Sequence, residues 1–168
     1  MNIHPLFVHF PIALLTVYVL AEFFSVKKLK DQMWWWNLKA VLLGFGVLGS
    51  FSALQTGEMA EELTGRSQLI EVHSTYATIT VWIFGVIALV YVITGIRKYL
   101  GLYVQEGFTR QIFLFLFSIE RVVIYGIPAL AFIGFITLTI TGALGGALVY
   151  GPDVDPVVSF IYSVVIGN

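Results

Sequence analysis

The sequence predicts an all-α integral membrane protein, a four-helix bundle running up-down-up-down with short interfacial helices. Three observations carry that expectation. Of the 168 residues, 58% are hydrophobic and only 11% charged, too few to clothe a soluble surface, and the mean hydropathy is +0.91. The apolar residues fall in four main runs, each near the roughly 20 residues that a helix needs to cross a hydrocarbon core of about 30 Å. Basic residues gather beside alternate ends of those runs, the distribution that orients membrane proteins. A single domain in the lipid bilayer follows.

The first span is expected over about residues 5–25, with Pro5 and Pro11 near its start, where missing amide donors cost little. No basic segment precedes it and no small-residue cleavage site follows, so it is expected to stay in the protein rather than act as a signal peptide. Lys27, Lys28, Lys30 and Asp31 form a polar turn, and Trp34, Trp35 and Trp36 suit an interfacial aromatic belt. A second span over about 34–56 carries Gly44, Gly46, Gly49 and Ser50, which admit close helix approach. Residues 57–72, with Glu58, Glu61, Glu62, Arg66 and Glu71, read as an acidic loop. A third span over about 73–96 closes on Arg97 and Lys98. The apolar run Ile112 to Ile119 is too short to cross alone, so an interfacial segment is expected at about 108–120 before a last span at about 122–148, kinked at Pro128. A final apolar segment at about 156–166 is expected to lie on the membrane surface or pack on the bundle.

Lys27, Lys28, Lys30, Lys39, Arg97, Lys98, Arg110 and Arg121 fall on one side of this arrangement and only Arg66 on the other. Both termini and the 57–72 segment are therefore expected on the outer side of a bacterial inner membrane, with the basic connections in the cytoplasm. The acidic residues agree with that orientation but hardly determine it. Glu22, near the inner end of the first span, has Lys39 as a partner or else extends toward the interface.

A net charge of −1 and the absence of any basic tract exclude nucleic acid as a partner class. The absence of cysteine excludes disulfides, thiolate metal sites, iron–sulfur clusters and covalently attached haem. Any cofactor must be held by His, carboxylate or backbone groups. The three histidines, His4, His9 and His73, all fall toward the outer face. At about 1.5 Å of rise per residue, His9 and His4 lie roughly 27 Å and 34 Å from Lys27, and His73 lies roughly 36 Å from Arg97.

Imidazole is a ligand for haem iron and for small transition-metal ions, and polar side chains within a bilayer are costly enough to suggest a use. One reading is a b-type haem (haem b) between the first and third spans, with His9 and His73 as axial ligands and His4 as a substitute ligand or propionate partner. A second places one Zn, Cu or Fe ion on His4, His9 and His73, with Glu58, Glu61, Glu62 or Glu71 as a further ligand. A third treats the histidines as interfacial polar groups of a structural or assembly subunit, with His4 capping a helix. Gly142, Gly145 and Gly146 bring small residues to the same level. They would admit a haem edge, a quinone ring or another helix.

The opening His4-Pro5-Leu6-Phe7-Val8-His9-Phe10-Pro11-Ile12, His73 at the start of the third span, and Gly145-Gly146-Ala147-Leu148-Val149-Tyr150 together resemble the bacterial membrane proteins of domain-of-unknown-function family 2231. The resemblance spans about residues 1–155 and departs after Tyr150, where Gly151-Pro152-Asp153 replaces a more usual basic close. It implies a four-span bundle and, because relatives are sometimes fused to c-type cytochrome or Rieske-like domains, membrane redox work. The reading favoured is a membrane redox protein with one haem b near the outer face, passing electrons to an extracytoplasmic partner. A quinol, a separate cytochrome or other redox subunit, and a second copy of the chain are its expected partners. A stand-alone enzyme is the less favoured role, and no catalytic residue is assigned.

Overall fold

A computed structural model describes residues 4–24, 27–30, 32–100 and 108–167; the side chains of residues 5, 6, 27, 30, 64 and 97–125 lie outside the described set. Six helices, α1 (His4–Phe23), α2 (Lys27–Lys30), α3 (Met33–Thr64), α4 (Gln68–Leu100), α5 (Phe108–Tyr150) and α6 (Pro156–Val165), account for the regular structure, with no strand among the described residues. Three stretches are long and apolar enough to cross a membrane: Met33–Leu63, Gln68–Ile96 and Gly126–Tyr150. The apolar parts of α1 and α6, Phe7–Phe23 and Pro156–Val165, are shorter.

The helices pack through buried apolar faces and keep other apolar side chains outward. Leu15, Tyr18 and Val19 of α1, Leu43 and Val47 of α3, Phe84, Ile87 and Tyr91 of α4, and Ala131 and Leu138 of α5 form one buried cluster. Leu48 at 65% and Trp82 at 71% exposure face outward, as expected where the surrounding solvent is hydrocarbon. With no hydrophobic force between helices in lipid, close packing must come from small residues. Gly46 is such a position: a Cβ there would sit 2.6 Å from the Leu15 Cδ2 atom of α1. Gly134 is another, where a Cβ would sit 2.9 Å from Phe84 Cζ of α4. Of the glycines in the second span, Gly46 and Gly49 thus face α1, while a Cβ on Gly44 would meet nothing within 4 Å.

α1 packs against α3 and α5, and α4 packs against the same two helices. Neighbours run antiparallel. Glu22 near the end of α1 meets Lys39 near the start of α3, Trp36 of α3 stacks on Tyr91 toward the end of α4, and His73 near the start of α4 meets Thr141 toward the end of α5.

Three expectations are corrected. Residues 57–72 are not a loop: α3 runs to Thr64 and α4 starts at Gln68, leaving Gly65 to Ser67 between them. The run Met59-Ala60-Glu61-Glu62-Leu63 consists of strong helix formers, which outweigh its charge. Gly65, at φ 83°, ends α3 by donating its N–H to the Glu61 carbonyl. Ser67 then opens α4, its hydroxyl accepting from the Ile70 N–H at 3.3 Å. Second, residues 108–120 do not form a separate interfacial helix. They are the first turns of α5, which is helical without interruption through Pro128 to Tyr150. Third, Lys39 does not stand as a free charge beside a span: it is 8% exposed and bonds Glu22 Oε2 at 2.8 Å inside the packed helices, one of the two outcomes expected for Glu22. The basic side chains at 27, 30, 97, 98, 110 and 121, on which the orientation rests, lie outside the described side chains.

α6 follows a tight turn. Asp155 caps it, its Oδ1 accepting from the Val157 and Val158 N–H groups at 2.8 and 3.0 Å, with Pro156 at the first helical position. Val158 then packs on Ala143 and Ala147 of α5.

Candidate functional site

His4 and His73 are positioned by the same local device. In α1 and α3, His4 Nδ1 lies 3.1 Å from the Thr56 hydroxyl, and the ring also reaches the Ala53 backbone. A Cβ on Gly57 would come within 3.2 Å of His4 Cε1. In α4 and α5, His73 Nδ1 lies 3.1 Å from the Thr141 carbonyl. A Cβ on Gly145 would come within 3.2 Å of His73 Cε1. Each imidazole therefore meets the backbone of one helical turn, at Ala53 or Thr141, and lies over the glycine four residues later. One turn of helix separates those two positions, so both fall on the same helix face. The glycine is needed because the ring lies where a Cβ would point.

The hydrogen bonds fix the tautomers. A carbonyl oxygen only accepts, so His73 Nδ1 donates to Thr141 and its remaining lone pair is on Nε2. The Thr56 hydroxyl spends its single proton on the Ala53 carbonyl at 3.0 Å, so it accepts from His4 Nδ1–H. The basic nitrogen of His4 is again Nε2. Burial holds the half-buried His4 imidazole below its ordinary value, against the opposing effect of the Ala53 hydrogen bond. The ring is thus neutral and basic at neutral pH. His4 and His73 also lie within electrostatic reach of each other.

His9 does not join them. It is exposed on α1, because a step of five residues turns a helix by about 140° and His4 already faces α3. Among the described residues, no group of three or more His, Cys, Asp or Glu side chains comes together in a way that could hold a metal ion. Glu58, Glu62 and Glu71 are exposed, and Glu61 is bonded by Arg66 Nε at 3.1 Å.

Of the three glycines expected at this level, Gly145 underlies His73, Gly146 faces Val158 of α6 at 3.6 Å, and Gly142 has nothing within 4 Å of its Cβ position. Thr56, Gly57 and Ala53 had no visible role in the sequence. The Thr141 hydroxyl bonds its own helix, donating to the Thr137 carbonyl at 2.8 Å. The residue acts through its backbone carbonyl instead. A glycine four residues beyond a candidate carbonyl was the available signal, and it occurs at 53/57 and 141/145.

The site can offer two neutral imidazoles, each with Nδ1 anchored and Nε2 as its basic nitrogen. That donor set suits a group bringing equatorial ligands of its own, since small-ion sites ordinarily draw three or four ligands from the protein. Anchoring of the distal nitrogen by a carbonyl or hydroxyl is also how metal-binding histidines are oriented. Two imidazoles are a donor set that a non-covalently held haem takes from its protein.

Searches of curated proteins and of solved structures each found no match. Residues 1–156 match the family model described as "Predicted membrane protein (DUF2231)", and the chain belongs to that family.

Proposed function

We propose that the protein is a membrane redox protein that takes one haem b near its outer face, which His4 and His73 would hold. The observation that carries this reading is the matched pair of imidazoles, each with Nδ1 held 3.1 Å from an oxygen of the neighbouring helix. The Thr56 hydroxyl and the Thr141 carbonyl hold the rings in tautomer and orientation, while Gly57 and Gly145 allow them to lie flush on the helix backbones. Burial keeps His4 neutral, the form that ligates iron. When bound, the haem supplies reversible one-electron transfer.

In this reading α1 acts as the fourth span of an up-down-up-down bundle in a bacterial inner membrane, both termini outward. Electrons come from a quinol or another membrane donor and leave to an extracytoplasmic redox subunit. The preference for His4 over His9 follows from their opposite faces on α1.

The test is the visible absorption spectrum of the purified protein, expressed with haem and reconstituted. The expected result is a Soret band with a reduced-minus-oxidised b-type spectrum, lost in His4→Ala and His73→Ala and kept in His9→Ala. A wild-type protein without a Soret band overturns the reading and leaves the histidines as interhelical hydrogen-bonding groups of a structural subunit. Bound Zn, Cu or Fe without porphyrin absorption would favour a small-ion site.

A further inference from the structure

A groove of about 280 Å³ runs between α1 and α3 at the end of the packed helices that α2 joins, and every side chain lining it is apolar or aromatic. Because the two helices are antiparallel, its residues fall at matching levels: Val17 with Leu42, Ala21 with Leu38, and Phe24 with Trp35. Ala21 is buried, whereas Leu20, Phe24 and Leu38 are exposed beside it. From Val17 to Phe24 the helix rises about 10 Å, about two-thirds of the roughly 15 Å of hydrocarbon in one leaflet. Lys27, Lys28 and Lys30 of α2 follow Phe24 directly in the chain, and Lys28 is exposed. Three lysines against Asp31 give the segment 27–31 a formal charge of +2. Lys39, beside Leu38 in sequence, is paired with Glu22 and adds nothing to that charge.

Hydrocarbon is the ordinary filling of an apolar groove in a membrane protein, and apolar contact alone does not choose among lipids, whose tails are all as apolar as leucine. Two features give this groove a preference. Its concave shape lets one acyl chain touch α1 and α3 together, where a flat helix face offers contacts on one side only. Its Phe24 end lies next to the lysines, so a lipid seated with its chain in the groove brings its headgroup to a positive segment. Basic residues directly after a membrane helix attract anionic headgroups, about fivefold in binding for each lysine near the surface. The apolar part of α1, Phe7–Phe23, rises about 26 Å, less than the roughly 30 Å of a hydrocarbon core, and a short span draws its flanking residues toward the headgroup boundary. Trp35 at the same end suits that boundary.

We propose that the groove between α1 and α3 binds one anionic phospholipid, an acyl chain lying along Ala21 and Leu38 and the phosphate seated at α2. Apolar contact holds the chain, and the charge of the headgroup sets the selectivity. The site needs neither haem nor histidine, so it stands or falls separately from the proposed function.

The test is native mass spectrometry of the purified, delipidated full chain, titrated in detergent with phosphatidylglycerol or with phosphatidylcholine carrying the same acyl chains. The first phosphatidylglycerol should bind about 25-fold more tightly than the first phosphatidylcholine, two net charges at about fivefold each. The triple variant Lys27→Gln, Lys28→Gln, Lys30→Gln should lose that preference. Leu20→Trp and Leu38→Trp, which fill the groove from exposed positions on its two sides, should each weaken the first phosphatidylglycerol, and Leu89→Trp, at an exposed position on α4, should leave it unchanged. Equal binding of the two lipids by the wild type, a preference that survives the lysine variant, or a first phosphatidylglycerol indifferent to both groove variants overturns the proposal. A wild-type dimer that either groove variant disperses also overturns it, giving the groove to a second copy of the chain. If one groove variant fails to fold, the other decides together with the lysine variant.

Discussion

Removing Lys39 should be the most damaging single loss of charge in the protein. Lys39→Met keeps an unbranched stem of similar length but deletes the ammonium that bonds Glu22 at 2.8 Å. With 9% of its side chain exposed, Glu22 has little water to turn to. Its described support falls to the Tyr91 hydroxyl at 3.1 Å. Breaking one partner out of a buried ion pair costs about 3–5 kcal/mol, mostly the penalty of the stranded charge. The double variant Glu22→Gln, Lys39→Met removes both charges and should recover all but about 1–2 kcal/mol, the hydrogen bonds being only partly replaced. Reversible unfolding in mixed micelles measures both, and Trp36, stacked on Tyr91, reports locally by fluorescence. A Lys39→Met variant within about 1 kcal/mol of wild type, or a double variant worse than the single one, refutes the reasoning.

Four further outcomes follow. Gly134→Ala places a Cβ 2.9 Å from Phe84 Cζ and 3.1 Å from Ile83 Cγ2 in the core; overpacking of this kind costs about 1–3 kcal/mol, checked by the same unfolding assay. Gly145→Val sets branched carbons where the His73 ring lies and should lower haem retention after gel filtration by at least about tenfold, while Gly142→Val, in open space, leaves it unchanged. Because burial lowers the folded His4 value, the unfolded chain takes up a proton there first as pH falls below about 6.5. The His4 contribution to stability is therefore fully present above that pH and declines below it, a dependence that His4→Gln should flatten in unfolding measurements across that range. Cysteines at positions 153 and 28, in this cysteine-free chain, should be labelled by a membrane-impermeant maleimide from the outer and the inner side respectively; the reverse pattern inverts the orientation.

Much of the helical framework was legible because its physics is local. Runs such as Val81 to Val92 are too apolar for water, and Trp34 to Trp36 mark where one run begins. The partnership of Glu22 with Lys39 was legible for the same reason, since an ion stranded in lipid needs a counter-charge. The extent of α3 was not. Composition marks Glu58, Glu61 and Glu62 as solvated but cannot distinguish a solvated helix from a loop. The reach of α5 was obscured in the same way, because Ile112 to Ile119 was judged by spanning length when the backbone simply continues as helix. For the site, level along the membrane normal was readable from rise per residue, whereas facing was not. His9 was expected to pair with His73, but the turn between His4 and His9 sends them to different faces of α1. The acceptors were hidden most thoroughly, because the Thr141 carbonyl is a backbone group that no residue pattern advertises.

The proposed haem site is tested most directly by low-temperature electron paramagnetic resonance of the oxidised, purified protein, paired with a haem-to-chain ratio. One haem per chain with a low-spin bis-imidazole signal, converted to high-spin or lost in either His4→Ala or His73→Ala and unchanged in His9→Ala, is the predicted result. A haem-free protein, or a haem whose signal ignores both substitutions, contradicts it.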